Sequence, residues 1–92
     1  DKVSMGTIAA RDAIRITELT SQVITASLVG AVQAVEIRLL NNELSEQWIG
    51  ERLVNFKTFI REHIEFIEND RPLEKELRKI MELIQTQNAG LI

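Results

Sequence analysis

The 92-residue chain has no cysteine and no tyrosine, a single proline and few aromatics. Without cysteine there is no disulfide framework and no thiolate zinc site, and such usage fits a reducing compartment, so a cytoplasmic protein is expected. With 11 basic and 14 acidic residues interspersed and a net charge of −3, there is no basic field to neutralise phosphates, and nucleic acid is not an expected partner. The opening Asp1-Lys2-Val3 shows neither a basic n-region nor an apolar h-region, so no targeting peptide is visible and the chain reads as the continuation of something longer. The longest apolar stretch, Val23 to Val35, contains Thr25, Ser27 and Gln33 and falls short of the roughly 20 residues that cross a bilayer. No membrane span is expected.

What is present is helical periodicity. Residues 7–40 contain no proline, and the middle of this stretch is apolar on nearly every side, as in a helix buried all round. Unbroken, it would run roughly 50 Å, longer than a small compact domain is wide, so something outside the chain is expected to cover it. Gly6 is read as the turn into this helix, with Ser4 or Thr7 as its N-cap. Ile8, Ala9, Ala13, Ile16, Leu19 and Val23 gather on one face, against Arg11, Arg15, Glu18 and Gln22 on another. Asp12 falls within the apolar stripe, at an edge position that water can reach. Beyond Val23, the small residues Ala26, Ser27, Gly30, Ala31 and Ala34 are interleaved with larger ones. That arrangement suits close helix crossings, either in an ordinary bundle core or in an interface between subunits.

Asn41 and Asn42 end this helix. A second helix is expected over about 45–68, capped by Ser45, with Ile49, Leu53, Phe56, Ile60, Ile64 and Ile67 as its stripe and Trp48, Phe59 and Phe66 widening it. Asn69-Asp70-Arg71-Pro72 interrupts it, and a third helix spans about 72–87. Its stripe is Leu73, Leu77, Ile80 and Ile84, and Glu74, Lys75, Glu76, Arg78, Lys79 and Glu82 form its solvated face. Fraying is expected near residues 88–90. The class is therefore all-α, one long buried helix followed by two amphipathic ones, with residues 1–92 a single segment of a larger helical assembly.

Chemistry is sparse. Residue 60 is isoleucine, so the lone His63 lacks the Glu-x-x-His pattern of carboxylate-bridged metal sites. A phosphotransfer role for His63 is conceivable, but a structural or surface histidine is the commoner case. Glu62, Glu65 and Glu68 recur every third residue, as on a solvated helix face, and do not suggest a metal site. No nucleophile and base arrangement and no phosphate loop can be argued. No catalytic, substrate-binding, cofactor-binding or metal residue is assigned within the chain.

The opening Asp1-Lys2-Val3-Ser4-Met5-Gly6, continuing through Ala9-Ala10-Arg11 to Gln33-Ala34-Val35-Glu36-Ile37-Arg38, and Asp70-Arg71-Pro72-Leu73 farther on, resemble the C-terminal part of aromatic amino-acid ammonia-lyases and the related 2,3-aminomutases. The resemblance implies a parent enzyme that eliminates or migrates ammonia on phenylalanine, tyrosine or histidine. It implies a 4-methylidene-imidazol-5-one electrophile formed from an Ala-Ser-Gly triplet, a tyrosine base, and a homotetramer built round a central helical bundle. The chain holds neither that triplet nor any tyrosine, and the family's Asn-Gln or Gln-Glu pocket pair would lie just before Asp1. The segment's expected role is thus structural, its partners the remainder of the enzyme and its copies. A different class, an independent helical oligomerisation module without catalysis, remains as an alternative, as does the His63 phosphotransfer domain.

Overall fold

The structure is a computed structural model that describes residues 2–87, with side chains from Ser4 onward. Three α-helices, α1 (Lys2–Leu40), α2 (Glu51–His63) and α3 (Glu74–Gln87), are joined by loops, the first of which carries a 3₁₀ turn at Glu46–Trp48. The described residues contain no strand, in keeping with the expected all-α class.

Helix α1 is already formed at Lys2, ahead of the expected start near residue 7, so neither Ser4 nor Thr7 caps it. Gly6 lies within it, where an added Cβ would meet nothing within 4 Å. Its propensity cost, about 1 kcal/mol, is one that a long helix tolerates at a single position. Thr17 and Thr25 return their hydroxyls to the carbonyls of Ala13 (2.9 Å) and Ser21 (2.8 Å), which satisfies both side chains without a tertiary partner. The helix ends at the asparagines as expected. Asn42 adopts φ 60°, its N–H reaches the Leu39 carbonyl (3.2 Å) and the Glu43 N–H reaches that of Arg38 (2.9 Å). This pair of bonds is the Schellman closure, with asparagine in the left-handed position glycine usually fills.

The second helix is shorter than the expected 45–68. Ser45 precedes the 3₁₀ turn and makes no side-chain cap bond. Gly50, which falls inside the expected 45–68 helix, where it would weaken the first turns, is instead the N-cap of α2, with φ −69° and ψ 156°. The helix stops at His63 because Ile64 turns to an extended conformation, φ −146° and ψ 125°. Helix α3 begins at Glu74 and leaves Pro72 outside it, while the Leu73 carbonyl accepts the Leu77 N–H at 2.9 Å. The fraying expected near residues 88–90 lies outside the described residues.

The core joins Val29 and Val32 of α1 to Phe56 and Ile60 of α2, Ile64 of the following loop and Ile80 of α3, all buried. Leu28, Phe59, Ile67, Leu73, Leu77 and Ile84 pack against it. The expected stripes of α2 and α3 therefore do face inward, even though Ile64 and Ile67 arrive on a loop. Every described buried polar side-chain atom has a hydrogen-bond partner. The molecule measures 61 × 30 × 21 Å with a radius of gyration of 17.2 Å, against about 12 Å for a compact domain of this length. The difference is α1, whose first half projects beyond α2 and α3 with every residue from Ser4 to Thr20 exposed. Within this chain the long helix is thus buried along one strip only, not all round.

Candidate functional site

Two features of α1 carry the functional argument, an inner polar clamp and an outer apolar face. The clamp is built from Gln33 and Glu36, one helical turn apart, and Arg61 of α2. Arg61 Nε donates to both Glu36 carboxylate oxygens (2.9 and 3.0 Å), Nη2 to Gln33 Oε1 (2.8 Å) and Nη1 to the Ile64 carbonyl (3.2 Å). Gln33 Nε2 donates to the Ile67 carbonyl (2.8 Å), and Gln33 Oε1 accepts the Ile67 N–H (3.2 Å). A side-chain amide thus bonds both backbone groups of one loop residue, as a neighbouring strand would. These bonds explain why α2 ends early. The carbonyls of Ile64 and Ile67 and the amide of Ile67 find charged or amide partners on other side chains, so a continued helix has no advantage there. The Arg61 guanidinium also lies 5.5 Å from the Phe66 ring centre.

This network was not foreseen from the sequence. Gln33 and Glu36 stood out only as part of a resemblance, and Arg61 looked like one of many helix-surface cations. The available signal was a charge beside the Phe56-Ile60-Ile64 stripe, where an unpaired cation is costly.

The outer face runs the length of α1. At 100° per residue, Met5, Ile8, Ile16, Leu19, Val23, Ala26, Gly30, Ala34 and Ile37 fall within about 80° of arc, turned roughly 120° from the strip covered by α2 and α3. None is buried. Met5 is 69% exposed, Ile16 63% and Val23 65%. Of the trio Val29, Val32 and Val35, the first two are covered by the chain's own helices and Val35 is half-buried. The uncovered surface is therefore on the other side of the helix. The small residues Gly30 and Ala34 belong to that outer side, and a Cβ added at Gly30 would meet nothing within 4 Å. The total accessible surface, 7122 Å², exceeds the roughly 5,400 Å² of a compact monomer of this mass. The excess accompanies the projecting half of α1, exposed from Ser4 to Thr20.

Helix α1 is also long and apolar enough, by length and composition, to cross a membrane between Ser4 and Leu40. That departs from the expectation drawn from its longest unbroken apolar stretch, because scattered Thr, Ser and Gln lower the hydropathy of a longer window only slightly.

His63 closes α2. Its Nδ1 lies 3.0 Å from the Phe59 carbonyl, which makes Nδ1–H the donor, and its ring sits 5.1 Å from that of Phe59. The half-buried ring is thus part of the helix end, where a histidine complements the terminal carbonyls. Glu65 and Glu68 lie beyond the end of α2, so they do not share a helix face with Glu62. No group of three metal-binding side chains occurs among the described residues.

Residues 1–62 match the family described as aromatic amino acid lyase. The chain is 35% identical over 89 residues to a histidine ammonia-lyase of Streptococcus sanguinis, covering 95% of this chain and 16% of that protein. It is 35% identical over 88 residues to a histidine ammonia-lyase of Streptococcus gordonii, covering 94% and 16%, and 41% identical over 87 residues to one of Clostridium tetani, covering 91% and 16%. The chain thus spans 16% of the length of these curated relatives. No solved structure matches it.

Proposed function

Because the chain belongs to the aromatic amino acid lyase family, we propose that it is the C-terminal structural and oligomerisation segment of an enzyme that eliminates ammonia from an aromatic L-amino acid. Histidine is the substrate favoured by the names of its relatives, and those names favour elimination over 2,3-migration. The observation that carries the structural role is the uncovered apolar face of α1, which a helix in water does not keep at this length without a partner. Copies of the same enzyme and the remainder of its own chain are the partners, in a homotetramer.

The residues present do not fit the 4-methylidene-imidazol-5-one electrophile, since the chain has no Ala-Ser-Gly triplet and no tyrosine. That group would form elsewhere in the parent enzyme, and no chemical step is assigned to this segment.

Protein is favoured over lipid as the cover of α1. Helix α3 lies beside Gln22 and Thr25, where Glu74 and Arg78 line the same groove as Leu73, Leu77 and Met81. A bilayer spanned by α1 would draw these charges and the exposed Lys75, Lys79 and Glu82 toward hydrocarbon, at several kcal/mol by the order of magnitude for intramembrane charges. A cytoplasmic enzyme is the consistent reading.

The test is turnover by the full-length chain, measured as ammonia released from histidine, phenylalanine and tyrosine, alongside the same assay on residues 1–92. Release from histidine by the full-length chain and none by the segment is expected. A full-length chain that assembles but releases ammonia from no aromatic amino acid would leave only the oligomerisation module.

A further inference from the structure

Between α1 and the start of α3 runs an open groove of about 380 Å³, within the usual size range of small-molecule sites. Leu73, Leu77 and Met81, spaced every fourth residue, line it from one side, and Gln22 and Thr25 of α1 from the other. Leu73 and Leu77 also pack against the core, whereas the half-buried Met81 is not part of it. Thr25 is buried with its hydroxyl bonded to the Ser21 carbonyl, so it adds no free polar group. The exposed Gln22 amide makes no hydrogen bond to another described residue. The remaining lining is one pair of opposite charges, Glu74 and Arg78. Arg78 Nε donates to Glu74 Oε1 at 3.0 Å, and Nη2 lies 3.0 Å from the same oxygen. An apolar trough beside one adjacent anion and cation is the complement of a zwitterion with an apolar body. We infer that this groove binds a free α-amino acid with an apolar side chain.

The ligand's ammonium group faces Glu74 and its carboxylate faces Arg78, which makes an alternating square of four charges. The Glu74 and Arg78 side chains keep 75% and 65% of their exposure, so their own bond is weak in water and gives up little when the ligand joins it. The guanidinium has five N–H donors, enough to serve Glu74 and a second carboxylate. The ligand's side chain lies along Leu73, Leu77 and Met81, where a thioether suits an aromatic ring. A peptide segment of a parent enzyme does not match this arrangement, since only a free amino acid carries an ammonium and a carboxylate on one carbon. At 100° per residue, Gln22 and Thr25 lie about 80° and 140° from the centre of the outer face of α1, so a partner on that face does not cover the groove. The ligand class is read from the groove alone and holds whatever reaction the parent enzyme performs.

The test uses the full-length chain and the ε-methyl resonance of Met81, assigned with Met81→Leu, during titration with L-phenylalanine. This readout reports the groove and is blind to binding at a distant active site. The methyl should shift saturably with a dissociation constant on the order of 1 mM, as about a dozen non-hydrogen atoms give at ordinary ligand efficiency. Glu74→Gln and Arg78→Gln should each weaken binding about threefold, the size of one exposed charge contact; both side chains are largely exposed, so the fold is kept. N-acetyl-L-phenylalanine, which has no ammonium, should lose the same factor on the unaltered chain and lose nothing further on Glu74→Gln. L-phenylalaninamide, which has no carboxylate, should behave likewise with Arg78→Gln. A Met81 methyl that does not move, because the groove stays empty or because another part of the full-length chain fills it, would overturn the site. A saturable shift that neither rim variant nor either capped analogue alters would overturn the recognition of a zwitterion.

Discussion

Arg61→Met tests the clamp that holds the loop after α2 onto α1. The substitution keeps most of the aliphatic stem and removes the guanidinium, with its contact to the Phe66 ring and its bonds to Glu36, Gln33 and Ile64. Hydrogen bonds to charged groups are each worth about 1.5–3 kcal/mol, and a carboxylate stranded in a protein interior adds its own desolvation cost. Here the side chains of Arg61 and Glu36 keep 19% and 16% of their exposure, so water recovers part of the loss. A net cost of about 2 kcal/mol to the local closed state is the result. The assay follows directly, because the Ile67 N–H donates to Gln33 Oε1 and that oxygen loses the Arg61 guanidinium that holds it in place when Arg61 is gone. Amide hydrogen exchange at Ile67 in the full-length chain should accelerate about thirtyfold, the factor equivalent to that energy, while amides in the middle of α1 keep their rates. Adding Glu36→Gln, which discharges the stranded carboxylate, should recover about 1 kcal/mol. If Ile67 exchanges within threefold of the unaltered chain, the clamp does not hold the loop, and the account of why α2 stops at His63 fails with it.

Ile60 and Ile80 are fully buried where α2 and α3 meet, so Ile60→Ala and Ile80→Ala should each cost about 2–5 kcal/mol, read as a lowered thermal midpoint. Gly50→Ser should stabilise by about 0.5 kcal/mol, because the φ and ψ of Gly50 are open to any residue, nothing crowds its Cβ, and the hydroxyl adds the side-chain cap α2 lacks. Calorimetry showing a lower midpoint for Gly50→Ser would contradict that. Residues 1–92 alone should associate, since α1 has no cover of its own over Ser4 to Thr20, and a stable monomer in sedimentation with cooperative unfolding would count against it.

Much of this fold was legible because periodicity and turn chemistry report on local structure. The stripe Leu73-Leu77-Ile80-Ile84 is inward along α3, and Asn42 closes α1 through the left-handed geometry that asparagine tolerates. The end of α2 was not legible. Residues 64–68 keep a helical pattern of apolar residues, and they leave the helix because Gln33 and Arg61 supply bonds from thirty residues away or across a helix end. Gly6 and Gly50 misled in opposite directions, the first lying inside a helix and the second at a helix start, because glycine marks flexibility without saying how it is used. The apolar run of α1 did not tell which side of the helix its own chain covers and which it leaves exposed. Only with α2 and α3 in place do Val29 and Val32 separate from Gly30 and Ala34, the first pair spoken for within the chain and the second left outside.

The central claim, that the outer side of α1 is a buried contact in the assembled protein, is tested most directly at Gly30. In the single chain, a side chain at this position meets open space, so leucine there would raise helix stability by up to about 1 kcal/mol. In an assembly that packs another helix against Gly30, the same leucine overfills the crossing and costs about 1–3 kcal/mol. The thermal midpoint and sedimentation of the full-length Gly30→Leu variant therefore give opposite answers under the two arrangements. The account predicts a lower midpoint and a weakened assembly; a variant that gains stability and keeps its oligomeric state would show that this side of the helix faces water.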